Sequence, residues 1–360
     1  MNKRAILAGT SKGLMVFWME GQSVGKTDVH FRGFPVSMIF VDEQKETWWV
    51  ALSHKHWGEK LHYSSDFGQS WQTAGLPSFK GAEYKPGMAA SLKKIWVMQH
   101  AASAANSFWL GTEPGGLFFS DDGGKSFHLN QALWNHPSRL NDNQWFGTGK
   151  DYPFIHSIII DPRDSIHIYV GVSCAGVFET VDGGQSWQPR NNGLIAAYLP
   201  KTTPEVGHDP HQMLMCTSHP DVIWQQNHCG IFRTTNGGKE WIQLSDDRQI
   251  PHYGFALAID NANSDVAWVI PAESDEARVP VDLKLRVCKT VDGGRTWQNL
   301  TAGLPQHNSF DLVLRHGFAR KNGVMAFGTT NGNLYFSSDD GNLWSTLTNV
   351  LAPTSIVAIV

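Results

Sequence analysis

Apolar and polar residues alternate in short runs along most of this chain, and the runs end at turns that contain glycine. Such alternation is typical of half-buried antiparallel strands. A strand, a glycine-containing turn and a second strand recur at 5–18, 48–65, 108–120, 168–180, 222–234, 266–290 and 325–337. A separate apolar strand that ends in a turn signal recurs at 36–42, 95–100, 154–161, 211–220, 253–260, 311–318 and 354–360. The pattern therefore predicts an all-β protein built from repeats.

An eight-residue pattern, S/T-x-D/N-x-G-x-x-W/F, follows all but the first of these hairpins. Its third position falls at Asp66, Asp122, Asp182, Asn236, Asp292 and Asp339. An Asp or Asn side chain can accept backbone N–H groups and close a turn, while glycine supplies the positive φ that other residues resist. These third positions are 47 to 60 residues apart. Repetition at such a spacing indicates a repeat architecture rather than a set of active sites. We call these eight-residue segments the boxed turns.

The offset between the two kinds of repeat predicts how the chain closes. The first hairpin has no apolar strand before it, and the last apolar strand, 354–360, has no hairpin after it. If these two segments share one sheet, the repeats form a ring of four-stranded sheets without exposed edges. Seven blades in 360 residues give about 51 residues per blade, close to the period of such units. We therefore predict a seven-bladed β-propeller that occupies 1–360 as a single domain, with the C-terminal strand completing the N-terminal blade.

With these boxed turns the chain resembles the Asp-box, or BNR-repeat, propellers of the sialidase superfamily over essentially its whole length. It is most similar to bacterial sialidase-like and glycosyl hydrolase BNR-repeat proteins. The resemblance implies that the boxed turns lie on the face away from the binding site. The Arg-Ile-Pro motif of true sialidases is absent, since the nearest string, at 31–35, has a different spacing. The resemblance thus implies a propeller with carbohydrate chemistry rather than sialidase activity itself.

Composition excludes several classes of partner. The chain has 29 Lys and Arg against 33 Asp and Glu with no basic run, so we expect no nucleic-acid partner. No apolar segment approaches the roughly 20 residues needed to span a bilayer, so we expect no membrane partner. The apolar N-terminal stretch is short and forms part of the first hairpin, unlike a signal peptide. The four cysteines include no CxxC pair, and a cytoplasmic location is expected.

Propeller topology divides the turns between two faces of a disc. The boxed turns occupy one face, and the hairpin turns together with the segments that connect blades occupy the other. The long insertions 128–152, 189–210 and 298–310 and the expanded turn 271–282 all belong to this second face. Loops longer than about 12 residues are uncommon without a function. We therefore expect the working surface on this face, which we call the mouth face.

The polar residues that this topology gathers at the mouth face are rich in histidine. Histidine titrates near neutral pH and serves both as a general acid or base and as a metal ligand. The candidate catalytic residues are His156, His208, His211, His228 and Arg139. The candidate substrate-binding residues are Glu113, Trp145, Lys150, Gln226, Arg233 and Glu273.

Three functions fit these residues. The one that we favour is a site for a carbohydrate or an acidic small molecule, of the glycoside hydrolase or polysaccharide lyase type. In it the histidines act as acid or base, and Arg139, Lys150 or Arg233 holds a carboxylate.

The second function is a metal-dependent enzyme. There His208, His211 and His228 hold one divalent metal ion, with Asp209 or Glu205 as a carboxylate ligand. The third is a non-catalytic assembly or interaction propeller, whose mouth face is a docking surface for a protein partner.

Overall fold

The computed structural model describes residues 4–21, 23–101, 106–140, 144–147, 151–246, 248 and 250–360. Within these ranges the chain forms seven four-stranded antiparallel sheets, which we number as blades 1 to 7. The first strands of neighbouring blades contact each other around the centre, so they are the inner strands. The predicted seven-bladed β-propeller is therefore confirmed.

The strand bounds follow the predicted repeats, and each blade is given from its inner to its outer strand. Blade 1 contains Thr354–Ile359, Ala5–Thr10, Gly13–Glu20 and Ser23–His30, and blade 2 contains Val36–Asp42, Thr47–His54, Gly58–Ser64 and Gln72–Thr73. Blade 3 contains Lys94–His100, Phe108–Glu113, Leu117–Ser120 and His128–Leu129, and blade 4 contains Phe154–Asp161, Asp164–Ser173, Gly176–Thr180 and Gln188–Pro189. Blade 5 contains Pro210–Met215, Ile223–Asn227, Gly230–Thr234 and Ile242–Gln243, and blade 6 contains Gly254–Ile259, Ala267–Pro271, Val287–Thr290 and Gln298–Leu300. Blade 7 contains Phe318–Lys321, Val324–Gly328, Leu334–Ser337 and Ser345–Thr348.

The ring closes in blade 1 as the repeat offset predicts. The C-terminal strand pairs antiparallel with the first strand, with Ile6 opposite Ile359 and Ala8 opposite Val357. The same strand is tied to blade 7, because the backbone N–H of Val357 donates to the carbonyl oxygen of His316 over 2.8 Å. The first and last strands of the described chain therefore lie in one sheet that borders blades 2 and 7.

The core lies between neighbouring blades, where the aromatic residues of the boxed turns fill the space. Trp241 is 2% exposed, and its indole N–H donates to the carbonyl oxygen of Arg190 in the preceding blade over 2.8 Å. Trp187 likewise donates to Asn130 Oδ1, over 3.1 Å. Both rings bury a large apolar area and also satisfy their one polar atom, whereas the indole nitrogens of Trp71, Trp297 and Trp344 have no hydrogen-bond partner among the described residues. The boxed turns thus join adjacent blades.

All six boxed turns share one hydrogen-bond pattern. The first-position hydroxyl donates to the side chain of the third residue and accepts the N–H of the fifth-position glycine. At Asp122 the carboxylate also accepts the backbone N–H groups of Lys125 and Ser126, over 2.9 and 3.0 Å. The bonds therefore reach three and four residues onward, rather than two. Hydrogen bonds to Ser126 hold the pKa of Asp122 well below its ordinary value.

Asp122→Ala is expected to lower the free energy of unfolding by about 1 kcal/mol, since it removes a charged acceptor from several hydrogen bonds at a solvent-exposed turn. The adjacent Asp121 is exposed, and Asp121→Ala is the matched control, expected to change stability by less than about 0.5 kcal/mol. Urea denaturation of the two variants measures the difference. Equal stabilities would contradict a structural role for the boxed turn.

The mouth face carries the structure that lies outside the blades. A two-stranded hairpin, Glu83–Lys85 with Met88–Ala89, and the short helices Gln131–Trp134 and Pro137–Leu140 lie in its connecting segments. A single 3₁₀ turn, Val281–Leu283, lies in the expanded turn of blade 6. In the described part of the chain, no helix combines the length and apolar character that a membrane crossing needs.

Candidate functional site

A carboxylate and two imidazoles converge where blade 5 begins. Asp209 immediately precedes the inner strand, and His211 lies within it at a β-bulge between Pro210 and Gln212. His228 lies in the hairpin turn of the same blade, and its backbone N–H donates to the carbonyl oxygen of Asp209 over 2.9 Å. This bond fixes the turn against the start of the strand. We call Asp209, His211 and His228 the central triad.

The three side chains of the central triad approach within metal-binding distance. Asp209 Oδ2 lies 3.4 Å from His211 Nε2 and 3.6 Å from His228 Nδ1. One ligand atom from each residue lies within 4.8 Å of the other two. Asp209 and His211 are buried, whereas His228 keeps partial contact with solvent. The group is therefore enclosed on one side and open at His228.

Each residue of the triad is oriented by its second polar atom. Asp209 Oδ1 accepts hydrogen bonds from Ser173 Oγ over 2.7 Å and from the backbone N–H of Cys174 over 3.2 Å. His211 Nδ1 lies 2.6 Å from the carbonyl oxygen of Gly254, and His228 Nε2 lies 3.5 Å from Asp275 Oδ2. Blades 4, 5 and 6 therefore all contribute to the orientation of the triad.

Burial and charge fix the protonation states of the buried pair. Burial would by itself raise the pKa of Asp209, but the neighbouring His211, His228 and Arg315 outweigh it and hold that pKa well below its ordinary value. Burial and the charge of Arg315 lower the pKa of His211. The site thus contains an ionised carboxylate beside an imidazole whose protonation burial disfavours.

Aromatic rings of neighbouring inner strands surround the triad. His211 stacks on Phe255 with 4.5 Å between ring centroids, and Tyr253 lies 5.8 Å from His211. In the inner strands of blades 3 and 4, Trp96 stacks on Phe154 with 4.2 Å between ring centroids. These residues come from blades 3, 4 and 6, so the inner strands form an aromatic wall around the central site.

A groove on the mouth face leads to His228. It has a volume of about 430 Å³ and is lined by Ile195, Ala197, Tyr198, His228, Cys229, Gln243, Asp246 and His252. The ring of Tyr198 lies 5.1 Å from that of His228, and its hydroxyl donates to the carbonyl oxygen of Gly207. A small molecule in this groove would therefore contact the open side of the triad.

The structure separates His208 from the other predicted histidines. Its Nε2 lies 2.8 Å from the carbonyl oxygen of Pro204, and its backbone bridges to Ala175 in the neighbouring blade. The metal group within the described residues contains Asp209 in its place. The physical reason is strand alternation, because consecutive residues of an extended segment face opposite sides.

His156 lies in the inner strand of blade 4 and is fully buried. Its Nδ1 lies 2.9 Å from Ser157 Oγ, and its carbonyl oxygen accepts a hydrogen bond from His316. Gln226 is buried too, but its amide donates to the carbonyl oxygen of His252. This bond joins the blade 5 hairpin to the segment that precedes blade 6. His156 thus belongs to the central region, whereas Gln226 is held in a structural contact.

Arg139 and Trp145 lie together in the connecting segment between blades 3 and 4. Arg139 donates to the carbonyl oxygens of Trp134 and Tyr84, and burial lowers its pKa to about 10. Trp145 is buried and donates to Ser138 Oγ. Both line a separate pocket of about 600 Å³, away from the triad. Lys150, the third candidate in this segment, lies outside the described residues.

Three further candidates lie apart from the triad. Arg233 forms an ion pair with Asp265, because the end of its strand leads directly into a boxed turn on the opposite face. Glu113 accepts a hydrogen bond from the indole N–H of Trp96 over 3.1 Å and lies at the blade 3 side of the mouth. Glu273 is exposed, and its neighbour Asp275 is the carboxylate that approaches His228.

No sequence pattern points to Asp275, and the candidates above include neither Tyr253 nor Phe255. A signal for the aromatic pair exists, because Tyr253 and Phe255 hold the same two positions at the start of blade 6 that Asp209 and His211 hold in blade 5. Comparing equivalent positions of successive blades would have found them.

Glu59, another carboxyl group on the mouth face, has a raised pKa, in contrast to Asp209. Glu59 accepts a hydrogen bond from Ser53 Oγ over 2.6 Å, while its Oε2 is buried and has no hydrogen-bond partner among the described residues. Burial raises the pKa of Glu59 from an ordinary 4.5 to about 7, and the charge of Glu113 adds to the effect. Ser53 and Lys94 act in the opposite direction.

Glu59→Gln is expected to remove a pH dependence of stability. Because folding raises the pKa of Glu59, the folded state binds more protons between about pH 4.5 and 7, and the free energy of unfolding falls as pH rises through that window. With solvent screening, the loss is about 2 kcal/mol. Denaturation at pH 5 and pH 8 should show a smaller difference for the variant, whereas Glu240→Gln at an exposed boxed turn should match the wild type. A wild-type pH slope in Glu59→Gln would contradict the assignment.

Comparison with known proteins extends the description of the fold. No protein-family model matches the chain. Over 224 residues it is 23% identical to the oligoxyloglucan-reducing end-specific xyloglucanase of Emericella nidulans, an alignment that covers 54% of this chain and 26% of that enzyme.

Two solved structures match at the level of the fold. One is an ancestral GH74 enzyme, with 17% identity and a TM-score of 0.59 over 96% of this chain and 40% of that chain. The other is a protein from Bacteroides uniformis provisionally assigned as a 6-phosphogluconolactonase, with 11% identity and a TM-score of 0.60 over 100% of both chains. The chain spans less than half the length of the xyloglucanase and of the GH74 enzyme. It is therefore a seven-bladed β-propeller with GH74 xyloglucanase-like structural neighbours.

Proposed function

We propose that this chain is a carbohydrate-active protein of the hydrolase or lyase type, and that the central triad holds one divalent cation as its chemical centre. The observation that carries the proposal is the orientation of the triad, in which Asp209 Oδ2, His211 Nε2 and His228 Nδ1 face one another. The weak similarity to a xyloglucanase and the likeness to a GH74 enzyme support a sugar as the ligand.

The hydrogen bond of His211 supports a cation directly. A carbonyl oxygen can only accept, so His211 Nδ1, at 2.6 Å from the Gly254 carbonyl, carries the ring proton. In the neutral imidazole Nε2 then presents a lone pair to the Asp209 carboxylate, 3.4 Å away. A lone pair and a carboxylate repel each other unless a proton or a metal cation lies between them. A divalent cation at that point would relieve the repulsion.

The outer contacts of the triad match those of protein metal sites. Metal-binding histidines usually donate their second ring nitrogen to a carbonyl or carboxylate oxygen, which fixes the ring and its tautomer. His211 has Gly254 in that position, and His228 has Asp275. Ser173 and Cys174 hold the other oxygen of Asp209. All three candidate ligands are thus oriented before a cation arrives.

The spacing of the triad fits a tetrahedral ion. Ligands at about 2.0–2.1 Å from zinc in tetrahedral geometry lie roughly 3.4 Å from each other. The two distances from Asp209 Oδ2, 3.4 and 3.6 Å, agree with that value. Two imidazoles and a carboxylate suit Zn²⁺, Mn²⁺ or Fe²⁺ and leave at least one position open. The groove at His228 would give a sugar hydroxyl or water access to that position.

A bound divalent cation supplies Lewis acidity and lowers the pKa of a coordinated water. The residues of the chain would bind and orient the sugar around it. The ring of Tyr198 lines the groove together with the polar groups of Gln243 and Asp246. Such a combination of apolar and polar contacts is typical of small-molecule sites.

Metal analysis and turnover of the same preparation test this function. The protein as purified should contain about one equivalent of a transition metal, and it should cleave at least one glycoside from a panel of neutral and uronic-acid oligosaccharides. Removal of the metal with a chelator should abolish cleavage, and Zn²⁺ or Mn²⁺ should restore it. Cleavage that continues after metal removal would instead indicate acid–base catalysis by the histidines. An absence of both metal and sugar binding, together with stoichiometric capture of a protein, would indicate the interaction propeller.

A further inference from the structure

We infer that the mouth contains an anion-binding subsite beside the central triad, formed by Arg315, Tyr253 and His156, and that the sugar it accepts carries a carboxylate. The inference rests on the proposed function and specifies its substrate class. Three buried polar atoms carry it: Arg315 Nε, Tyr253 Oη and His156 Nε2. Each lacks a hydrogen-bond partner among the residues that the structure describes.

The three side chains are neighbours around two phenyl rings. The guanidinium carbon of Arg315 lies 5.1 Å from the centroid of Phe154 and 5.3 Å from that of Phe255. The ring of Tyr253 lies 5.4 Å from Phe255, and the ring of His156 lies 6.0 Å from Phe154. The unpartnered atoms therefore belong to one region of the channel rather than to scattered sites.

All three atoms can donate a hydrogen bond. Arginine is always protonated, and the tyrosine hydroxyl is neutral at physiological pH. For His156 the tautomer follows from its neighbour. Ser157 Oγ accepts the backbone N–H of Met213 over 3.1 Å, so its own hydrogen is available to His156 Nδ1 at 2.9 Å. When Ser157 donates to Nδ1, the proton of the neutral His156 ring lies on Nε2, and this tautomer completes a set of three donors.

The charge of this set matches a carboxylate. Arg315 forms no ion pair within the described ranges, because the nearby Asp209 directs one oxygen at Ser173 and the other at the histidines. Arg278 also lies over the ring of Phe255, at 5.5 Å, and the charge of Asp209 acts to raise the pKa of Arg315. The two guanidinium groups and this carboxylate together carry a single positive charge, equal and opposite to that of a ligand carboxylate. A phosphate ester with nearly two negative charges would be only partly neutralised. Part of the Arg315 side chain is exposed, so a ligand can contact it from the mouth, whereas its Nε is enclosed.

Calorimetric titration with matched sugars tests the subsite. The chelator-treated protein is titrated with galacturonate and glucuronate, with the neutral galactose and glucose, and with glucose 6-phosphate. We expect a uronate to bind at least about tenfold more tightly than its neutral counterpart, and more tightly than the phosphate ester. Arg315→Gln should weaken uronate binding at least about tenfold and leave neutral sugars unchanged.

Arg295→Gln is the matched control, because Arg295 is exposed in a boxed turn on the opposite face. Tyr253→Phe removes one hydrogen-bond donor without changing the ring. Its uronate affinity provides an independent test should Arg315→Gln fail to fold. Equal binding of uronates and neutral sugars, tighter binding of the phosphate ester, or no binding of any uronate would overturn the subsite.

The two proposals fail differently. Metal-dependent turnover of a neutral glycoside, with no preference for a carboxylate, would retain the proposed function and reject the subsite. Arg315-dependent uronate binding by a protein that binds no metal would retain the subsite and reject the cation centre.

Discussion

His228→Gln is expected to lower the affinity for Zn²⁺ or Mn²⁺ by more than about a hundredfold and to abolish glycoside turnover. Loss of an outer contact to a metal ligand typically costs ten- to a hundredfold in affinity, and loss of the ligand itself costs more. Glutamine retains a polar end but lacks the imidazole nitrogen that lies 3.6 Å from Asp209 Oδ2. Because His228 is only partly buried, the fold should survive the change. Calorimetric titration with each metal measures the affinity, and thermal unfolding checks the fold.

The chain offers its own control in His208, which neighbours the triad in sequence but binds the carbonyl oxygen of Pro204. His208→Gln should retain metal affinity within about threefold, since a glutamine amide can still donate to that carbonyl. Asp275→Asn, which alters only the outer partner of His228, should give an intermediate loss of about tenfold. Equal metal affinities in His228→Gln and His208→Gln would mean that the triad is not the metal site.

Ile356→Asp is expected to cost the protein most of its free energy of unfolding, or to prevent folding altogether. Ile356 is 5% exposed in the closing strand and lies opposite Gly9. The space there is full, since a Cβ built on Gly9 would lie 2.3 Å from Ile356 Cγ2 and 2.8 Å from Val36 Cγ1. Burying an unpaired carboxylate costs several kcal/mol, against a typical total of about 5–15 kcal/mol for a folded protein. Chemical denaturation and circular dichroism measure the effect.

Val350→Asp is the matched control for the closing strand. Val350 precedes that strand and is 84% exposed, so the same substitution should change stability by less than about 0.5 kcal/mol. A cooperative unfolding transition of Ile356→Asp at the wild-type midpoint would show that ring closure does not hold the propeller together.

The sequence predicts the fold well because the repeats carry two independent periods. The boxed turns and the inner strands are each visible from residue type alone, and their offset by one unit requires the closure seen between Ile6 and Ile359. Both signals are local, so no knowledge of distant contacts is needed. The blade bounds then follow from the alternation of apolar and polar residues.

The candidate site is predicted only in part, because a side chain's direction depends on more than its position in a blade. The spacing of His208 and His211 suggests a pair, yet alternation along the extended segment turns His208 away from the side of Asp209. His211 meets Asp209 at the β-bulge between Pro210 and Gln212. Arg233 lies at the end of its strand beside a boxed turn, and that location alone assigns it to the other face. These two outcomes were available from strand geometry.

Other contacts of the site depend on the conformations of the turns and connecting segments. No local sequence pattern predicts those conformations. Asp275 reaches His228 because the expanded turn of blade 6 folds back across the mouth, where Glu273 N–H donates to the carbonyl oxygen of Val279. Arg139 donates to one carbonyl oxygen in its own connecting segment, that of Trp134, and to one in a neighbouring segment, that of Tyr84. The partners of such residues are set by long-range packing.

Anomalous X-ray scattering from crystals grown with Mn²⁺ tests the central claim most directly. Data collected at the manganese absorption edge should show one strong peak between Asp209 Oδ2, His211 Nε2 and His228 Nδ1, about 2.0–2.2 Å from each. A map without a peak among these three atoms, at a Mn²⁺ concentration that saturates the protein in solution, would contradict the account.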